Sequence, residues 1–139
     1  MTKICTDIEQ SKKLIELGID VNTADLTVTN YPLQDGSRFD FICCKLPNDI
    51  FPSITDGKSE KIPAWSLSAL LGLIPPYLGE LDEGIDFSFG KAIHSKWYSA
   101  YYLQYLQDGD VIAIKTVTGD TAVDAAFEMV VWLKENGKI

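Results

Sequence analysis

The sequence predicts an α+β domain: a small antiparallel sheet, a meander of about three to four strands, packed against N- and C-terminal helices, with a short third helix between. Three features carry that class. Residues 121–136 repeat their apolar positions with a helical period. Residues 85–89, 96–105 and 110–117 read as strands separated by short connections. Residues 6–17 are bracketed by a capping pattern and a terminating glycine.

Taken in order, Thr6-Asp7-Ile8-Glu9 has the spacing of a capping box, with the Thr6 hydroxyl expected to accept from the amide at Glu9. Ile8, Leu14, Ile15 and Leu17 supply the apolar stripe, and Gly18 followed by Ile19 predicts a left-handed C′ stop. The segment 19–37 is rich in turn formers and reads as a loop with at most one short strand. Arg38 to Leu46 alternates Phe39, Phe41 and Cys43 against Asp40, Ile42 and Cys44, predicting a strand that is largely covered. A polar excursion with two prolines follows at 47–61, expected on the surface. Leu67, Leu70, Leu71 and Ile74 fall at i, i+3, i+4 and i+7, a short helix stopped by Pro75 and Pro76.

In the strand 85–89, Ile85, Phe87 and Phe89 face inward, and Asp86 and Ser88 outward. The Asp-Gly pair at 108–109 predicts a tight hairpin turn into 110–117. Thr121 caps the last helix, Asp124 sits where it complements the helix dipole, and Gly137 ends it. Ala122, Ala126, Met129, Val130 and Leu133 cluster on its core side, opposite Asp124, Glu128 and Glu135. No internal repeat or low-complexity tract is expected.

At 139 residues the chain is read as one globular domain, 1–139, long enough to bury a core without a metal or disulfide staple. Its 12 cations against 20 carboxylates give a net charge of −8, and only one cation, Arg38, is an arginine. That balance disfavours direct nucleic-acid binding, which draws on a cationic footprint, and an anionic membrane surface for the same reason. No run approaches the roughly 18 apolar residues of a membrane span, and no secretory leader is evident. Cys5, Cys43 and Cys44 are odd in number, with two adjacent, which reads as reduced thiols in a cytoplasmic setting.

No reactive constellation is spelled out. His94, the lone histidine, lies in a polar loop without nucleophile-elbow glycines near any Ser or Cys. Gly57-Lys58-Ser59 ends like a phosphate loop, but Pro52 stands where the first glycine is required. Glu80, Asp82, Glu83 and Asp86 lack the alternation of a calcium loop and read as a solvated acidic loop. No cofactor or metal is expected, and the enzyme reading has no residues to rest on.

Two features point to contact with another protein. Val131 falls within the acidic face of the last helix and Trp132 at its border, where a helix facing only water needs neither. The strand 97–105 carries aromatics on both faces, Trp97, Tyr101 and Tyr105 on one and Tyr98 and Tyr102 on the other. Either elements of the domain cover both faces, or the Tyr98/Ala100/Tyr102 face is open to bind a partner. Coverage is the expected arrangement, because open aromatic faces are rare.

The stretches "TDIEQSKKLIELGIDVNTAD", "KIPAWSLSALLGLIP" and "DTAVDAAFEMVVWLKENGKI" resemble a group of short uncharacterised proteins encoded by gut bacteria and their prophages or other mobile elements. The resemblance rests on Pro63-Ala64-Trp65-Ser66 and on the ending Trp132-Leu133-Lys134-Glu135-Asn136. It implies a small intracellular accessory protein and carries over no activity. The function expected is therefore a non-enzymatic interaction module engaging a protein or itself through Val131, Trp132, Tyr98 and Tyr102. An acidic mimic of nucleic acid and a small hydrolase are the alternatives.

Overall fold

The computed structural model describes residues 3–45, 53–55, 59–79, 84–91 and 94–139. The α+β class holds, with helices near both ends, a short helix between them and strands that are all antiparallel. The strands form two four-stranded sheets, where the sequence led us to expect one. Contacts gather into two compact units, Cys5–Ala69 and Leu70–Ile139 with Met1–Ile4, a division that the reading of 1–139 as one domain did not mark.

The first unit holds α1 (Ile8–Glu16), a 3-10 turn (Val21–Thr23), and strands β1 (Leu26–Pro32), β2 (Arg38–Cys44), β3 (Ser53–Thr55) and β4 (Ser59–Ala64) in the order β2-β1-β4-β3. The cap of α1 is Asp7, one residue later than expected. Its carboxylate accepts from Gln10 N at 2.8 Å, and Gln10 Oε1 accepts from Asp7 N in return. Thr6 is diverted inward: its Oγ1 lies 2.8 Å from Ser11 Oγ and accepts from Trp65 N at 3.0 Å, while its own N–H donates to Trp65 O. Trp65 is fully buried, its indole N–H donating to Thr23 Oγ1, so the large ring is hidden without an orphaned donor. At the far end Gly18 N–H bonds Ile15 O and Ile19 N–H bonds Leu14 O, the Schellman stop its positive φ permits.

β1 is longer than the one short strand allowed within the expected loop. Leu26-Thr27-Val28-Thr29 is β-branched and alternating, and the turn formers on either side masked it. It is a central strand, with Val28 opposite both Ile42 and Ile62. β2 corrects the expected cover: its first five residues, Arg38 to Ile42, are exposed, because among the described residues it pairs with β1 alone. Within the 47–61 excursion, Gly57 and Lys58 lie outside the described residues, and Ser59 opens β4 and is buried.

The second unit is the expected meander. It comprises most of α2 (Leu67–Leu73, begun in the first unit), then β5 (Tyr77–Leu78), β6 (Ile85–Gly90), β7 (Tyr98–Tyr105), β8 (Val111–Gly119) and α3 (Ala122–Glu135), with sheet order β5-β6-β7-β8. α3 packs on β7 and β8. Its buried face includes Val123, Ala125 and Phe127 beside the expected Ala126, Met129, Val130 and Leu133, a wider contact than one narrow stripe. Thr121 Oγ1 accepts from Asp124 N, and the Asp124 carboxylate pairs with Lys3 Nζ at 2.7 Å.

Gly119 makes the passage from β8 to α3 possible. A Cβ there would stand 2.4 Å from Ala125 N and 2.8 Å from Asp124 C, backbone atoms that cannot rotate away. Gly119→Ala is expected to cost at least about 1–3 kcal/mol, read as a lowered thermal midpoint, whereas Gly90→Ala, with open space at its Cβ, falls well short of that.

Candidate interaction surface

The two faces of β7 have different fates. Ala100 and Tyr102 are fully buried, and Tyr102 lies in an aromatic cluster with Phe87 at 5.4 Å and Trp132 of α3 at 6.4 Å between centroids. Phe89 stacks on Tyr98 at 6.3 Å. This is the face that α3 covers. Tyr102 is therefore corrected as a contact residue: no surface remains to it, and its hydroxyl donates to Pro75 O at 2.6 Å. Tyr98 and Trp132 are half-buried; Lys91 Nζ sits 5.4 Å from the Tyr98 ring centroid and Lys115 Nζ 5.9 Å from that of Trp132. Val131 is half-buried on α3. The four residues singled out from the sequence thus divide, with three around the α3–sheet packing and Val131 at the helix border.

The open face is the other one. Tyr101 and Leu103 are half-buried, and exposure rises along the strand to Tyr105, at 54%. In β8, Val111 opposite Tyr105 continues this face and is exposed, as are Ile112, opposite Gln104 on the other face, and Ile114 at the bulge. A bulge between Tyr102 and Leu103 leaves Ile114 as the extra residue, so Tyr102 faces Lys115 and Leu103 faces Ala113.

The same arrangement recurs in the first unit. The hairpin from β1 to β2 exposes Tyr31, Leu33, Phe39, Phe41 and Ile42. Its turn is Leu33-Gln34-Asp35-Gly36 and that of β7–β8 is Leu106-Gln107-Asp108-Gly109, an internal likeness not expected from the sequence as a whole. In each, the leucine N–H bonds the carbonyl four residues on at 2.8 Å, the glycine N–H returns to the leucine O at 3.1 Å, and the glycine φ is near +90°. These are three-residue loops with a left-handed glycine, longer than the two-residue turn expected at 108–109. Each aspartate accepts from the backbone N–H two residues on, at 2.9 Å. The Ser37 hydrogen bonds hold the Asp35 carboxyl below its usual range.

The residues weighed for chemistry do not converge. His94 is exposed, and Ser95 Oγ bonds the backbone at Trp97. Cys5 is buried, Cys43 half-buried and Cys44 exposed, and none of the three is in a disulfide. Glu80, Asp82 and Glu83 lie outside the described residues, and Asp86 is exposed. Among the described residues no three His, Cys, Asp or Glu side chains are grouped to hold a metal, and no helix is long and apolar enough to cross a membrane. A shallow hollow of about 280 Å³ is lined by Gly90, Lys91, Ser99 and Tyr101 on the open face.

Burial raises the Tyr102 hydroxyl from about 10 to about 12. The neutral phenol is the form the fold favours, so its contribution to stability is complete below pH 10 and is lost as pH rises through 12. Phenolate absorbance is expected to show a late component near pH 12 that Tyr102→Phe removes. Comparison with protein-family models, with curated proteins and with solved structures finds no match to this chain.

Proposed function

We propose that this chain is a non-enzymatic protein-interaction module, a small cytoplasmic accessory protein that engages a protein partner at the open edge strands β2 and β8. One observation carries the reading: both edge strands expose uncharged, apolar residues in sequence, Phe41 and Ile42 on β2 and Val111, Ile112 and Ile114 on β8. Sheet edges present unpaired backbone donors and acceptors, and proteins that keep an edge in water guard it with lysine, proline, a bulge or a short strand. Here neither Phe41–Cys44 nor Val111–Ile114 contains a charge or a proline, and the bulge at Ile114 leaves Val111–Ala113 regular. An added strand from a partner would satisfy the backbone while its side chains meet the apolar ones on both faces. On this reading the contact lies on the strands, away from Val131 and Trp132, whose ring is engaged with Tyr102 and Lys115.

The nucleic-acid mimic draws less support. It requires a run of free carboxylates, and on α3 the row Asp124–Glu128–Glu135 begins with a residue already paired to Lys3. The test is a variant carrying Phe41→Lys and Ile112→Lys. Both sites are exposed, so the fold is expected to remain, with stability changed by only about 0.5 kcal/mol per site. Affinity capture from the native host is expected to lose the partners that the unaltered chain retains. Retention of the same partners by the doubly substituted chain refutes the strand-edge reading.

A further inference from the structure

The two open edges carry one pattern. β2 runs Asp40-Phe41-Ile42-Cys43-Cys44 into Lys45, and β8 is entered by Asp110 and runs Val111-Ile112-Ala113-Ile114-Lys115. Each is a four-residue uncharged block with an aspartate before it and a lysine after it. We propose that the partner at these edges is a second copy of this chain, β2 of one copy pairing antiparallel with β8 of the other, an inference that rests on the strand-edge reading above.

Charge and face together select this pairing. Laid antiparallel, the two blocks set Lys45 opposite Asp110, with Cys44 against Val111, Cys43 against Ile112 and Ile42 against Ala113; beyond Ala113 the bulge turns Lys115 to the face of Tyr102, away from Asp40. Opposite charges therefore close the Lys45/Asp110 end of an apolar seam, and cross-strand pairs of that kind stabilise antiparallel ladders. Slipping the register by one residue turns every side chain to the other face and parts that charge pair. Pairing β2 with β2 cannot achieve such a match. Opposite residues on antiparallel strands share a face and faces alternate along a strand, so a strand pairs with its own two-fold copy only through residues of equal parity. Asp40 and Lys45 differ in parity. The β2·β8 combination brings Lys45 and Asp110 together on one face.

The bulge at Ile114 lies toward the Lys115 end, so Asp110–Ala113 opposite Ile42–Lys45 is the regular part of the seam and sets the register. The exposure of Phe41 at 49%, Val111 at 47% and Ile112 at 44% is what this seam would remove from water. Because each copy owns both strands, one pairing joins one copy to the next.

The test is solution mass by sedimentation of the purified full chain as a function of concentration. The unaltered chain is expected to associate, and Ile112→Lys, with its fold verified by circular dichroism, is expected to be monomeric over the same range. Lys45→Asp alone and Asp110→Lys alone each set like charges opposite one another and are expected to weaken association about five-fold. The double exchange Lys45→Asp/Asp110→Lys is expected to restore it. A monomeric unaltered chain at every concentration overturns self-pairing. If capture of other proteins is then still lost on Phe41→Lys/Ile112→Lys, the interaction module stands with a different occupant. Association that ignores Ile112→Lys, or a double exchange that fails to recover, also overturns the proposed seam.

Discussion

One helix can bury one face of a four-stranded sheet, and the second unit is organised by that constraint. α3 covers the side of β7 that carries Ala100 and Tyr102; there Phe87 packs on Tyr102 and Phe89 on Tyr98, and Tyr102 meets Trp132 from the helix. The reverse side keeps Tyr101, Leu103 and Tyr105 in varying contact with water. The choice of covered face follows from chain geometry. β8 reaches α3 through Gly119, whose missing Cβ lets the strand end lie against the helix start, and the Thr121 cap turns the backbone at once into the helix.

The first unit meets a related demand with hydrogen bonds. Trp65 sits at the end of β4 and is fully enclosed, with its backbone tied to Thr6 and its ring nitrogen to Thr23. Asp25 accepts from both Ser66 N and Ser66 Oγ, and Ser66 Oγ in turn accepts from Ala69 N, capping α2. A buried indole with every donor met confers rigidity as well as apolar area, since a half-satisfied polar group would cost more than it returns. The residues that close this arrangement are threonines and serines, which a reading by hydrophobic pattern passes over.

That explains how much was legible beforehand. Helices were found where periodicity and stop signals agree: Gly18 and Gly137 end their helices as expected, and Leu67 to Leu73 stops before Pro75. The meander from 85 to 119 was legible through its alternation. β1 was not, because Thr27 and Thr29 look polar although they are β-branched and buried. The cap of α1 was misplaced by one residue, because sequence cannot say whether Thr6 looks outward at its own helix or inward at Ser11. The positions of β2 and β8 at sheet edges were not legible, because edge position is a property of the sheet order and no local pattern encodes it.

The placement of α3 after all of the strands it covers has a kinetic side. A hairpin such as β7–β8 can close within about 1–10 µs of leaving the ribosome, whereas translation advances by only about 5–20 residues each second. Phe87, Phe89 and Tyr102 therefore emerge, and find their strand neighbours, well before Met129, Val130 and Leu133 exist to shield them. For that interval the nascent sheet is bare on both sides, and its safe passage falls to chaperones or to the speed of synthesis.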